Sequence, residues 1–281
     1  MKNSLLIQGA FMILRHFFLA TVVAFVVSAC GASPDGSRVY VERPVEVIYL
    51  SALEELERRN FMVASQEFDE VERQHPYSLW ARRAMVMSAY TYYVQNKYDE
   101  AVATGRRFLG LYPGNTQAPY IYYLIAISYY ERISDVKHDQ RITEMAQATL
   151  LDVVRRYPDS DYAKDALFKL DVTYSNLAGK EMDVGRYYLS RGDYAAAASR
   201  FRNVVLNYNN TAHAAEALHR LTEVYLSLGV VNEAQNAAAV LGYNFPDSPW
   251  YRDSYRILRQ RDLEPAEAES SWLTRTFNKV F

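Results

Sequence analysis

The sequence predicts an all-α solenoid of five stacked helical hairpins. From about Val45 onward, apolar residues recur at helical spacing and no alternating strand pattern lasts. Eleven glycines and nine prolines are too few for a β-protein built on tight turns. An aromatic–proline marker, with alanine and tyrosine at fixed offsets, returns along the chain, and a repeat of this kind is the signature of a solenoid.

The elements follow in chain order. Residues 1–29 read as a secretory signal. Lys2 and Arg15 supply positive charge, no acid precedes Asp35, and Phe17 to Val27 is an apolar run broken only by Thr21. Spanning a membrane takes about 20 residues, so this run has the length of a signal core instead. Met12 is an alternative start. The run ends in Val27-Ser28-Ala29-Cys30, which resembles a bacterial lipobox, and Cys30 is the only cysteine of the chain. Cys30 is therefore the expected lipidation site. Gly31 in place of aspartate favours the outer membrane by resemblance to lipoprotein sorting rules. Residues 30–45 read as a lipidated, flexible tether, small and polar from Ala32 to Arg38. One cysteine also excludes an intrachain disulfide and a cysteine zinc site.

The repeat occupies residues 46–262. Its markers are Tyr112-Pro113, Tyr157-Pro158 and Phe245-Pro246, with His75-Pro76 and Tyr208-Asn209 in equivalent places. Twelve residues before the proline position stand Ala64, Ala101, Ala146, Ala197 and Ala234. Two residues after it stand Ser78, Asn115, Ser160, Thr211 and Ser248, all good helix N-caps. Five after it come Ala81, Ala118, Ala163 and Ala214, with Tyr251 the exception, and sixteen after it Tyr92, Tyr129, Tyr174 and Tyr225. Proline ends one helix and the cap opens the next. The alanines permit close approach of two helices, and the tyrosines fill the space beside them.

The spacing Tyr92-Ala101-Pro113, met again as Tyr225-Ala234-Pro246, resembles the tetratricopeptide repeat. The intervals here are 37, 45, 51 and 37 residues. All the extra length falls between the tyrosine and the next alanine, at the hairpin tip: 17 residues from Tyr129 to Ala146 and 23 from Tyr174 to Ala197, against 9 elsewhere. Ser175 to Asp193 keeps helical spacing without proline, so a long helix over 160–190 is expected. Residues 263–281 leave the repeat. Trp272, Leu273, Phe277, Val280 and Phe281 make one apolar stripe that docks on a partner, folds back on the solenoid, or stays disordered.

No HExxH, GxSxG, Walker or CxxC motif is present, so no enzyme is expected and no cofactor or metal is implied. The acids at Glu54, Glu55 and Glu57, and at Glu67, Asp69, Glu70 and Glu72, lie at solvent-face spacing. A net charge of −2 supplies no field for nucleic acid. Of the arginine pairs, only Arg82-Arg83 opens a helix placed to line a concave surface. Ten tyrosines fall between residues 90 and 130. One helix cannot point both Tyr92 and Tyr93, or both Tyr122 and Tyr123, at a single neighbour. Some of Tyr90, Tyr93, Tyr120, Tyr122 and Tyr123 should therefore face a groove, where ring faces and hydroxyls suit an extended peptide.

The stretch from Leu177 to Ala197 reads LA-x-x-E-x-x-V-x-x-YY-x-x-RG-x-Y-x-AA. With His75-Pro76-Tyr77-Ser78, Asp139-Gln140 and Arg156-Tyr157-Pro158-Asp159-Ser160, it resembles the BamD (ComL-like) family of outer-membrane assembly lipoproteins over about residues 46 to 260. The resemblance implies a lipid-anchored, non-enzymatic component of the β-barrel assembly (BAM) complex on the periplasmic face of the outer membrane. Its implied partners are the last POTRA domain of a BamA-like insertase, other BAM lipoproteins, and the C-terminal segments of unfolded barrel proteins. It places the client groove in the N-terminal half, about 46–158, and insertase binding in the C-terminal half, about 159–262. Arg200 matches a basic position that pairs with acidic POTRA residues, and Tyr187, Tyr188 and Arg191 of the YY-x-x-RG block join that face. Asn209 in place of proline, and Gly185 where the family often has alanine, are departures. The alternative is a repeat lipoprotein coordinating peptidoglycan or cell-division machinery.

Overall fold

The computed structural model describes residues 42–267 and 271–277. The signal 1–29, the lipidation site Cys30 and most of the tether lie outside the described residues, as do Val280 and Phe281. Twelve helices form among the described residues, and no strand. They are α1 (Val45–Glu57), α2 (Phe61–Gln74), α3 (Leu79–Val94), α4 (Tyr98–Leu111), α5 (Ala118–Tyr130), α6 (Arg141–Arg156), α7 (Asp161–Ser190), α8 (Tyr194–Asn207), α9 (His213–Ser227), α10 (Val231–Asn244), α11 (Pro249–Arg259) and α12 (Trp272–Phe277). None is long and apolar enough to cross a membrane.

Helices α1 to α10 pair in sequence as five hairpins, and each packs against its predecessor. The all-α solenoid expected from the sequence is the fold found. Its core is a series of local clusters. Ile48, Phe68 and Val71 fill the first, Phe108, Ile121 and Leu124 the second, Leu150 and Leu170 the third, and Phe201, Leu218 and Leu241 the last. Each cluster draws on adjacent hairpins, because no single hairpin can bury its own apolar face.

The repeat positions explain the packing. Ala64, Ala101, Ala146, Ala197 and Ala234 are at most 1% exposed, as are Ala81, Ala118, Ala163 and Ala214. Tyr251, which replaces the alanine of the fifth repeat, is accommodated by Gly242 on the facing helix α10, where any Cβ would strike the tyrosine ring. Tyr129 and Tyr225 are buried. Tyr92 instead donates its hydroxyl to Asp69 at 2.6 Å, tying α3 to α2.

Two boundaries depart from the sequence reading. Ser78, Ser160 and Ser248 cap their helices, accepting the N–H groups of Ala81, Ala163 and Trp250. Asn115 accepts from the backbone of Gln117 before α5 begins, and Thr211 donates its hydroxyl back to the Tyr208 carbonyl. The helices that follow start later, with Gln117 and Ala212 as their N-cap residues, and neither has a side-chain cap. The loss of proline at Asn209 changes little. Tyr208 ends α8 at φ −137°, the same value that Tyr157 adopts before its proline.

The hairpin tips share a backbone device. Arg59, Asn96, Gly192 and Gly229 all adopt positive φ, between 59° and 75°, two residues before the second helix of their hairpins. Gly192 and Gly229 do so without strain, but Arg59 does not. Arg59→Gly is expected to raise the unfolding free energy by about 0.5–1 kcal/mol, read as a rise in Tm of a few degrees. The first long insert becomes the loop between α5 and α6. The second becomes the extension of α7, whose 30 residues are the long helix the sequence implies.

The tail folds back on the solenoid. Leu273 of α12 is fully buried against the last core cluster, the Ser271 hydroxyl donates to Glu233 at 3.0 Å, and the Arg202 guanidinium lies 4.5 Å from the Trp272 ring centre.

Candidate peptide groove and partner face

The first helices of the opening hairpins, α1, α3, α5 and α7, face a common groove of about 650 Å³. Tyr49 comes from α1, Arg82, Arg83, Val86, Met87 and Tyr90 from α3, Asn115 and Gln117 from the α4–α5 turn, Tyr120 from α5, and Tyr162 from α7. No acid lines it. Tyr90 is exposed, while the Tyr120 ring is half-buried and stacks at 5.8 Å on Tyr162. Burial, and then the neighbouring Tyr90, Tyr162 and Tyr93 hydroxyls, hold the Tyr120 hydroxyl well above the ordinary phenol range. It therefore stays a neutral hydrogen-bonding group at any physiological pH. The positive charge of the groove comes from the two arginines.

The five tyrosines singled out from the sequence divide. Tyr90 and Tyr120 line the groove. Tyr123 sits behind it, its ring 5.2 Å from Tyr162 and its hydroxyl donating to Asp165 at 2.5 Å. Tyr93 packs at 5.8 Å on Tyr98 and donates to Glu131 at 3.4 Å, and burial pushes its hydroxyl up to about 12. Tyr122 packs on Tyr157 at 5.7 Å beneath the Arg156 guanidinium, in the third core cluster, away from the groove lining. Tyr49 and Tyr162 line the groove without having been singled out. Tyr49 precedes the first proline marker, so no offset points to it, and Tyr162 stands four residues after Pro158, where the other repeats carry Trp80, Gln117, His213 and Trp250, so no recurring tyrosine marks it either.

The C-terminal candidates form two patches. Arg200, on α8, reaches across to Glu181 of α7 at 3.3 Å and stands at the edge of a surface depression of about 460 Å³ with Arg202, Asn203 and Leu206. Tyr187, Tyr188 and Arg191 gather at the far end of α7. Tyr187 is 56% exposed, packs edge-on against Tyr188 at 5.8 Å and accepts a hydrogen bond from Arg191 at 3.3 Å. Tyr188 packs partly into the last core cluster. None of these three lines the Arg200 depression. Much of the YY-x-x-RG block is thus architecture: a core ring, and the left-handed glycine that turns α7 into α8.

One buried constellation has the look of catalytic chemistry. His219 Nδ1 lies 2.9 Å from the Ser254 hydroxyl, and Nε2 lies 3.5 Å from Glu223. Ser254 has no exposed surface, so a substrate cannot reach it, and the group ties α9 to α11. No cluster suited to a metal ion occurs among the described residues.

Comparison with known proteins agrees with this geometry. Residues 41–241 match the family model described as YfiO, outer membrane lipoprotein. The outer membrane protein assembly factor BamD of Caulobacter vibrioides is 49% identical over 248 residues, covering 88% of this chain and 81% of that one. The BamD of Rickettsia prowazekii is 38% identical, covering 85% and 94%. That of Neisseria meningitidis is 29% identical, covering 86% and 96%. The matched span runs from the start of α1 into α10, across all five hairpins, and on that ground the chain belongs to the YfiO (BamD) family of outer membrane lipoproteins.

Proposed function

We propose that this protein is a non-enzymatic scaffold of outer-membrane β-barrel assembly, working within a BAM complex. The groove between α1 and α7 receives the C-terminal segment of an unfolded barrel client. Two patches, one around Arg200 and the other of Tyr187, Tyr188 and Arg191, bind the POTRA domain of a BamA-like insertase, and other BAM lipoproteins attach to the same assembly. A lipid on Cys30 holds the protein at the periplasmic face of the outer membrane. The observation that carries this reading is the groove itself: open, aromatic, cationic and free of acids or nucleophiles, on a chain whose relatives are named assembly factors. Aromatic rings offer large contact area at little entropic cost, and their hydroxyls serve the backbone of an extended segment.

Cross-linking in membranes followed by mass spectrometry tests it. A POTRA-bearing barrel protein linked to the C-terminal half is the expected result. Recovery of peptidoglycan or division proteins with no barrel partner would overturn the proposal. Within the groove, Tyr120→Ala is expected to weaken cross-linking to a barrel C-terminal peptide severalfold or more. Tyr122→Ala should leave that cross-link intact and lower Tm instead, because its ring packs on Tyr157 in the core.

A further inference from the structure

We propose that the groove reads a chain terminus: Arg82 and Arg83 bind the free α-carboxylate of the segment, and its last side chain sits against Tyr90 and Tyr120. This rests on the client-groove reading above and specifies the chemical group that anchors the segment, the residues that hold it, and the direction in which the segment lies.

The charge arrangement points to this ligand. Several other arginines of the solenoid are answered from within, although Arg202, beside Arg200, lies over the Trp272 ring instead. Arg107 pairs with Glu72, Arg200 with Glu181, and Arg186 with Glu216. Arg82 and Arg83 have no carboxylate within ion-pair distance among the described residues. Their guanidinium groups lie over rings instead, Arg82 at 5.6 Å from the Tyr112 centre and Arg83 at 5.4 Å from Trp80. Stacking holds a guanidinium in place and leaves its N–H edge free for a planar anion. Arg82 is half-buried, and the groove around the pair offers phenols, amides, Val86 and Met87 but no negative charge. Two adjacent cations on such a surface repel each other, and a bound carboxylate relieves that cost.

The direction follows from the lining. The two arginines stand on α3, while Tyr120 of α5 and Tyr162 of α7 carry the ring surface away from them, so the apolar track runs from α3 towards α7. Helix α7 lies two hairpins from α3. Neighbouring helices pack about 8–10 Å apart, so the track is roughly 20 Å long, or about six extended residues. A segment anchored by its carboxylate at α3 therefore runs back over Tyr120 and Tyr162 towards α7. Asn115 and Gln117 stand at the anchored end, where their amides can pair with its backbone.

The test uses the purified lipidated protein in detergent and a ten-residue peptide from the end of an outer-membrane β-barrel protein, with an aromatic last residue. The peptide is made as the free acid and as the C-terminal amide. The free acid is expected to bind at least tenfold tighter. The difference should vanish in the Arg82→Gln/Arg83→Gln variant and persist in part in Arg82→Lys/Arg83→Lys, which keeps the charge but not the fork. Circular dichroism of both variants separates this from unfolding. Equal binding of acid and amide to the unaltered protein would overturn terminus recognition and leave the client groove standing. An amidated peptide carrying an internal aspartate that binds as tightly as the free acid would also overturn it, because the pair would then be reading a side chain. Failure of both peptides to bind would remove the groove reading and this inference together.

Discussion

Arg200→Glu is expected to weaken binding to the POTRA domain by roughly 2–5 kcal/mol if the contact is desolvated, between about thirtyfold and several thousandfold. The size follows from the local geometry. Arg200 Nη1 lies 3.3 Å from Glu181 Oε2, with 44% of its side chain exposed. Reversing its charge removes the cation and also sets two carboxylates face to face across α7 and α8, so an acidic partner meets two repelling groups instead of one attracting group. The fold should tolerate the change. An ion pair this exposed contributes less than about 1 kcal/mol to folding, so Tm should fall by only a few degrees. Glu181→Gln provides the opposite arm: it frees Arg200 from its internal partner and is expected to leave binding unchanged or tighten it. Titration of the purified POTRA domain against both variants reads the result. Binding unaffected by Arg200→Glu would remove this residue from the interface.

The parts of this molecule that were legible in the sequence are those under steric limits. Ala101 and Ala118 are visible as a pattern because a larger side chain at either position would push two helices apart. The proline markers are visible because proline cannot continue a helix, and the length of α7 could be read from the absence of any such break between Ser160 and Ser190. The groove was less legible. Which face of α3 or α5 opens on it depends on how successive hairpins are rotated, and helical spacing alone cannot tell Tyr120 from Tyr122. Asn115 and Thr211 do not cap because the helices after them begin later, at Ala118 and His213, and the repeat offset alone does not fix where a helix starts. The hairpin tips were only partly visible: glycine marks the left-handed residue at 192 and 229, whereas arginine and asparagine fill the same conformation at 59 and 96.

The departure at Gly185 shows how one position can be judged only with its neighbour. Helix propensity alone suggests that Gly185→Ala should stabilise α7, since alanine favours a helix interior by about 1 kcal/mol over glycine. The structure reverses the sign. A Cβ at residue 185 would fall 2.5 Å from Phe201 Cε1 and 2.9 Å from two further ring atoms. Phe201 has no exposed surface and is packed on every side by the last core cluster, so its ring has nowhere to retreat. Overpacking of this kind costs about 1–3 kcal/mol, which exceeds the propensity gain over most of that range. Gly185→Ala is therefore expected to lower Tm by several degrees. Gly185 and Phe201 act as one unit, the missing methyl on α7 making room for the ring on α8. A double-mutant cycle with Phe201→Leu isolates that coupling. Phe201→Leu alone should destabilise by leaving a void beside Gly185. With Gly185→Ala added, the methyl enters that void, and the pair should be more stable than Phe201→Leu alone. Additive losses across the cycle would show that the two positions are independent, and that the close approach of α7 and α8 rests on other contacts.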